Sequence, residues 1–231
     1  MTDQTKNLYV VGTDTGAGKT VLSLLLMQYF YRQGHFPFYL KPVQTGCQGP
    51  YDADSDARFI YQNIEDLKER DPRDSIVYCF KNPKAPYFAA SNEGRDVDIK
   101  VIQDAVERKS LSYRPVIIEA AGGLFVPVTE DILVIDTINM FKARPVIAAR
   151  AGLGTINHTL LTIEALRSRD IAPAGVVFLE VGEDETSQEL VDENIEAVER
   201  FSGITVAGVI RKITDFTNPP EKYYRIFGFS G

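Results

Sequence analysis

Tryptophan is absent from the 231 residues, histidine and cysteine occur twice each, and methionine three times. Two isolated cysteines, Cys47 and Cys79, with no C-x-x-C pair, exclude a disulfide framework and argue against a thiolate metal site. Both read as buried or idle thiols. Cys47, beside a candidate site loop, is expected to be sensitive to alkylation without being catalytic. No stretch approaches the roughly 18 consecutive apolar residues of a membrane span, so no membrane partner is expected. An excess of basic residues is missing too: 25 Lys and Arg stand against 32 Asp and Glu, a net charge of -7. That balance argues against nucleic acid as a partner, since its phosphates require a basic face. There is no Ser/Pro-rich linker, internal repeat or low-complexity tract, so residues 1–231 are expected to form one domain. The polar start, Met1 to Asn7, carries no leader pattern, from which a cytoplasmic protein is expected.

What the chain does contain is enough apolar residue, 44%, for a sizeable core. Strand-like runs fall at Leu8 to Val11, Phe36 to Val43, Ser75 to Phe80, Pro115 to Ala121, Pro145 to Ala149, Ala174 to Leu179 and Thr205 to Ile210. Between them, helical spacing recurs at Val21 to Tyr31, Ala57 to Leu67, Ile99 to Arg108 behind a cap at Asp98, Ile132 to Phe141, Thr155 to Arg169 and Gln188 to Phe201. Residues 82–95, with Pro83, Pro86 and Gly94, read as an irregular connection, and the tail from Thr214 to Gly231 has no clear period. Strand and helix taking turns imply an α/β fold: a doubly wound, mainly parallel sheet with helices on both faces. Ligands of such sheets bind outside the carboxyl ends of the strands.

The first such end carries Gly12-Thr13-Asp14-Thr15-Gly16-Ala17-Gly18-Lys19-Thr20, between a strand and a helix. Glycines let the backbone turn several N–H groups toward one point, where the helix N-terminus adds partial positive charge. In that setting Lys19 reaches the β- and γ-phosphates of a nucleotide and the Thr20 hydroxyl ligates Mg²⁺. The strict G-x-x-x-x-G-K-[ST] pattern is not met, because Thr13 stands at the first glycine's place and Gly12 comes one residue early. Other strand ends supply Lys41, then Asp56 in the adjoining loop, and Glu119 before Gly122-Gly123. If these ends converge, Lys19 and Lys41 face a transferring phosphoryl group while Thr20, Asp56 and Glu119 surround Mg²⁺, hard oxygens about a hard cation. Taken singly, each is as compatible with a solvated or ion-paired residue.

A second glycine-rich junction, Gly152-Leu153-Gly154-Thr155-Ile156-Asn157-His158-Thr159, suits either an anion such as a carboxylate or an ordinary helix start capped by Thr155 or Asn157. His158 reads as a packing or capping residue.

Assembled in this order, the motifs resemble those of the dethiobiotin synthetases. Gly12 to Thr20 is similar to that family's G-T-D-T-x-x-G-K-T loop, Lys41-Pro42-Val43 with Thr45-Gly46 to its K-P-V-x-[ST]-G segment, and Ser55-Asp56-Ala57 to its S-D-A. Ala85 to Arg95 resembles the S-P-H…E-G-R region, Glu119 to Pro127 resembles E-G-A-G-G-x-x-x-P, and Gly154 to Thr162 resembles G-x-I-N-H-x-x-L-T. The resemblance implies a P-loop NTPase-like fold and an ATP- and Mg²⁺-dependent ligase of biotin biosynthesis. Such a ligase closes 7,8-diaminononanoate and CO₂ into dethiobiotin through a carbamate and a carbamoyl phosphate. It implies that Lys19, Lys41 and Thr45 act on carbamate and phosphate, and that Gly12 to Thr20, Glu119, Gly122 and Gly123 hold nucleotide. It also implies that Thr20, Asp56 and Glu119 hold the metal, and that Gly154, Thr155, Ile156 and Asn157 of a partner subunit hold the substrate carboxylate in a homodimer. The alternative is a non-catalytic nucleotide-binding or sensing module of the same fold, against which the intact Lys19, Lys41, Asp56 and Glu119 set argues.

This chain departs from the family pattern at four places. Ala120 replaces a glycine, which matters if the backbone there needs positive φ. Tyr87 replaces a histidine. Leu179 or Glu180 stands where an adenine-recognising asparagine is common, and Arg211 where a proline is common. The last two put base selectivity in question.

Overall fold

The structure, a computed structural model, describes residues 7–182 and 185–228. The polar N-terminal run before Asn7 and the end of the tail lie outside these residues. Among the described residues seven strands form one sheet: β1 Asn7–Gly12, β2 Phe38–Thr45, β3 Ile76–Phe80, β4 Val116–Gly123, β5 Ala143–Arg150, β6 Gly175–Leu179 and β7 Val206–Ile210. Their order is β3-β2-β4-β1-β5-β6-β7, and every pairing is parallel. The helices are α1 Lys19–Arg32, α2 Asp56–Gln62, α3 Pro86–Asn92, α4 Ile99–Ser112, α5 Val134–Met140, α6 Thr155–Arg167 and α7 Gln188–Ser202.

The continuous apolar runs are the reason the sheet is covered on both sides. Successive strand residues point to opposite faces, so Tyr9, Val11, Ile118 and Ile147 join Ile102, Val134 and Leu166 in one core. Leu8, Val10, Ile117 and Val146 join Leu22, Leu26 and Ile60 in the other. The chain leaves β1 toward β2 on one side and β4 toward β5 on the other, so the carboxyl ends of β1 and β4 form the switch point at which ligands of this fold class bind.

Three local readings change. The helix expected to run to Leu67 stops at Gln62, where the Asn63 side chain takes the Phe59 carbonyl at 2.8 Å and the Asn63 amide turns to Ile60; the Asn63 carbonyl accepts from Gln28 Nε2 at 3.0 Å, and a short 3₁₀ turn, Glu65–Leu67, follows. The segment read as irregular contains α3, which opens with Pro86 at its first position, where proline's missing N–H costs nothing. The tail is also ordered through Phe227, as a 3₁₀ segment, Glu221–Phe227. Its buried Tyr223, Tyr224 and Phe227 join the core around α1, which explains a helix rich in leucine around most of its circumference.

Gln28 clips that tail. Its Nε2 donates to the Phe216 carbonyl at 2.8 Å as well as to Asn63, and its Oε1 accepts from the Tyr224 hydroxyl at 3.1 Å. Gln28→Met, similar in shape but without these groups, strands two carbonyls and a hydroxyl. The substitution is expected to lower stability by about 1–3 kcal/mol, read as a lower urea midpoint at unchanged slope.

Candidate active site

The first loop leaves β1 at Gly12 and re-enters helix at Lys19. Gly18, with φ of 87°, is the N-cap and offers no side chain, so the first helical amides face the cleft rather than a capping hydroxyl. A Cβ on Gly12 would lie 2.9 Å from Lys19 Nζ and 2.8 Å from the Asp14 carbonyl oxygen. The lysine passes directly over this glycine, which is a local reason for glycine one residue earlier than the strict pattern. Lys19 Nζ donates to that Asp14 oxygen at 3.1 Å. Burial, assisted by the charge of Lys41, lowers the Lys19 pKa to about 8 against the opposing pull of Glu119 and Asp56. Arg150, at the end of β5, donates to the Thr15 carbonyl at 3.1 Å.

Behind the loop sits a buried charge cluster. Lys41 Nζ lies 2.7 Å from Asp56 Oδ2 and 2.7 Å from Glu119 Oε1. Thr20 Oγ1 is 2.9 Å from Asp56 Oδ1 and 3.0 Å from Glu119 Oε1, so its single proton serves one carboxylate at a time. The Tyr39 hydroxyl donates to Glu119 Oε2 at 3.0 Å, and Gln44 Oε1 accepts from the Asp56 amide at 3.1 Å. Glu119 is 1% exposed and Lys41 5%. Burial by itself lowers the Lys41 pKa, but Asp56 and Glu119 hold it above the usual lysine value. Burial likewise pushes the Asp56 carboxyl upward, and Lys41 brings it below its ordinary range. The Tyr39 phenol is raised far up by burial and by Glu119, so it stays a donor.

These groups open on a cleft of about 570 Å³ lined by Thr15, Gly16, Gly18, Lys19, Thr20, Lys41, Thr45, Asp56, Glu119 and Gly122. Lys84 to Pro86, leading into α3, close its far side. The structure therefore brings together the strand ends singled out in the sequence. Gly12, Thr13, Asp14, Ala17 and Gly123 support the loop or its β4 neighbour without lining the cleft. Gly154 to Asn157 stand apart: they are at the start of α6 beyond β5, with Gly154 and Asn157 exposed. Neither Thr155 nor Asn157 caps that helix, since Gly154 is its N-cap, and Thr155 Oγ1 instead pairs with Thr159 Oγ1 at 3.3 Å. His158 is exposed rather than packed.

Ala120 lies within β4, and the residue needing positive φ is Gly122, at 76°. The alanine is thus accommodated. At the carboxyl end of β6, Leu179 packs against Gly18, and the Glu180 carboxylate is engaged by Arg211 and by the amides of Thr186 and Lys212, both at 3.2 Å. Burial raises the Glu180 pKa, and Arg211 together with the Lys212 and Thr186 amides brings it below its ordinary value.

Tyr39 and Gln44 were not singled out from the sequence. Tyr39 had a signal: it is two residues before Lys41 in a strand, and so shares its face. Gln44 had none.

Hydroxyl and carboxylate oxygens so arranged suit Mg²⁺, which takes few protein ligands and completes its shell with phosphate and water. Among the described residues no cluster of three or more His, Cys, Asp or Glu is placed to hold a metal. That is in keeping with a set of two carboxylates and one hydroxyl.

Comparisons with known proteins agree with this geometry. A family model described as an AAA domain matches residues 6–220. The ATP-dependent dethiobiotin synthetase BioD of Lysinibacillus sphaericus (strain C3-41) is 36% identical over 218 residues, covering 92% of this chain and 89% of that protein. The protein of the same name from Methanococcus vannielii is 30% identical over 212 residues, covering 90% and 95%. Among solved structures, the MinD cell division protein of Aquifex aeolicus aligns with a TM-score of 0.56 over 92% of this chain and 86% of that chain, at 16% identity, a likeness of fold alone. With P-loop, strand-end lysine and carboxylates converging on one cleft, and relatives of this identity along nearly all of its length, the chain belongs to the ATP-dependent dethiobiotin synthetases, enzymes of biotin biosynthesis.

Proposed function

We propose that this cleft joins CO₂ to 7,8-diaminononanoate at the expense of ATP and closes the ureido ring of dethiobiotin. The observation that carries the reading is Lys41, an ammonium buried between two carboxylates and within the same cleft as Lys19. A structural salt bridge has no need to open on a phosphate loop.

An amine of the diamine attacks CO₂ and loses a proton, giving a carbamate. A carbamate oxygen takes the γ-phosphoryl group of ATP, releasing ADP. The second amine then attacks the carbonyl carbon and phosphate leaves. Each step develops or moves negative charge on oxygen, and the residues present answer that demand with fixed positive charge and donors rather than with a proton-transfer dyad. Lys19 and the α1 amides hold the phosphates, Lys41 and Thr45 face the carbamate, and the cleft walls near Pro86 limit water around the labile acyl phosphate. Thr20, Asp56 and Glu119 would hold Mg²⁺, which neutralises phosphate charge when bound. Tyr39 orients Glu119, and Gln44 orients the start of α2 that presents Asp56.

The exposed start of α6, Gly154 to Asn157, is proposed to receive the substrate's carboxylate in the cleft of a second subunit, since on its own chain it does not line the cleft. The neighbouring exposed Leu153 and Leu161, at 92% and 60%, support an apolar contact there. At the base end neither Leu179 nor Glu180 offers an amide to a purine edge, which supports a relaxed choice of nucleoside triphosphate.

Protein incubated with diaminononanoate, bicarbonate and MgATP is expected to yield dethiobiotin by mass spectrometry; nucleotide binding without product would favour a sensing module. Lys41→Ala is expected to abolish turnover and leave nucleotide binding largely intact. It should also cost the ligand-free protein about 3–5 kcal/mol, since the buried Glu119 and the partly buried Asp56 lose their counter-ion. Added Mg²⁺ should restore part of that loss, and unchanged turnover removes Lys41 from the mechanism. With GTP or CTP in place of ATP, turnover should stay within about tenfold, equivalent to about 1.4 kcal/mol of discrimination. Strict dependence on ATP would contradict the base-end reading.

A further inference from the structure

Cys47 and Cys79 are far apart in sequence and were read as unrelated thiols. In the fold their Sγ atoms are 3.4 Å apart, and both are free cysteines. Cys79 lies on β3, the edge strand, opposite Gln44 of β2. Cys47 lies just past β2, in the loop that joins Thr45 to Asp56. The backbone on both sides is already tied, because the Gly46 amide donates to the Phe80 carbonyl at 3.0 Å. Both sulfurs turn into the loop that carries Cys47: Cys47 Sγ donates to the Gly49 carbonyl at 3.5 Å, and Cys79 Sγ to the Cys47 carbonyl at 3.7 Å.

We propose that Cys47 and Cys79 constitute an intramolecular oxidation site that takes a peroxide as oxidant and closes to a reversible disulfide. A bonded pair has sulfurs about 2.05 Å apart, so they must approach by about 1.4 Å. The loop side can supply that movement, since Cys47 lies outside regular structure while Cys79 is held in the sheet. The two thiols have different parts. Cys47 is 2% exposed, whereas Cys79 is half-buried, so peroxide reaches Cys79 first. Burial, with Cys79 beside it, pushes the Cys47 thiol up to about 12, in keeping with a protected second thiol rather than the first nucleophile. The Cys79 thiolate attacks one peroxide oxygen, giving the sulfenic acid and hydroxide. Cys47 sulfur then displaces the sulfenic oxygen, and the Cys47 proton leaves with it as water. In sum, two thiols and one hydrogen peroxide give one disulfide and two waters; an external dithiol reverses it by exchange. The product fastens to β3 the segment between Thr45 and Asp56.

The test does not depend on the proposed reaction. The purified protein is treated with hydrogen peroxide at low molar excess, quenched, alkylated and weighed intact. Expected is a loss of two hydrogens per chain, no alkylation, a Cys47–Cys79 cross-linked peptide in the digest, and full recovery of two alkylatable thiols with dithiothreitol. Cys79→Ser should abolish the mass loss and leave Cys47 unoxidised at the same dose. Amide exchange across residues 47–55 should slow in the oxidised wild-type protein. Addition of two or three oxygens to Cys79 with Cys47 still alkylatable, disulfides only between chains, or unchanged exchange in that loop would each overturn the proposal.

Discussion

A carboxylate buried in the middle of a parallel sheet is costly unless a cation faces it. Glu119 is such a group, level with Val10 in the central pairing of β1 and β4. Much of the site follows from satisfying it. Lys41 must lie within β2, the strand on the other side of β4, for its ammonium to reach across. Asp56 shares that ammonium, and its backbone is fixed by Gln44 from the same strand. Tyr39 fills the second oxygen of Glu119 from the same face of β2. Thr20 reaches both carboxylates only because α1 begins where the glycine loop lets it. The arrangement is a hydrogen-bonded nest of two carboxylates about one ammonium, and its groups are those a phosphoryl transfer calls upon.

The succession of strands and helices, the phosphate loop and the cluster were largely legible in the sequence because they rest on strong signals: continuous apolar runs, glycines at a strand-to-helix turn, and charged residues in or just after apolar runs. What was not legible depends on contacts between distant segments. The end of α2 has a local sign in Asn63, whose side chain takes the Phe59 carbonyl, but the tie from Gln28 in another helix has none. Pro86 reads as a breaker in isolation and starts α3 in the fold. The aromatic tail shows no periodicity because it is a 3₁₀ wrap over α1, with its side chains chosen by the groove they fill. The nearness of Cys47 and Cys79 follows from β2 and β3 being neighbours, which only the strand order reveals.

The separation of roles along the sheet is also physical. Groups that touch charge lie at the ends of β1, β2 and β4, next to the switch point, where the loop amides converge. Groups at the ends of β6 and β7 are occupied with one another: Arg211 is bound to Glu180, to the Thr186 carbonyl at 2.6 Å and to Gln188 at 2.6 Å. That end is a packed, hydrogen-bonded wall rather than a set of unengaged donors and acceptors.

The Glu180–Arg211 pair constrains how this wall can change over evolutionary time. Glu180 has a side chain only 6% exposed, so losing Arg211 strands a carboxylate, and losing Glu180 strands a guanidinium beneath α7. Neither position can drift alone at low cost. A lineage that changes either residue must pass through a paired exchange, so this end of the sheet varies two positions at a time or not at all.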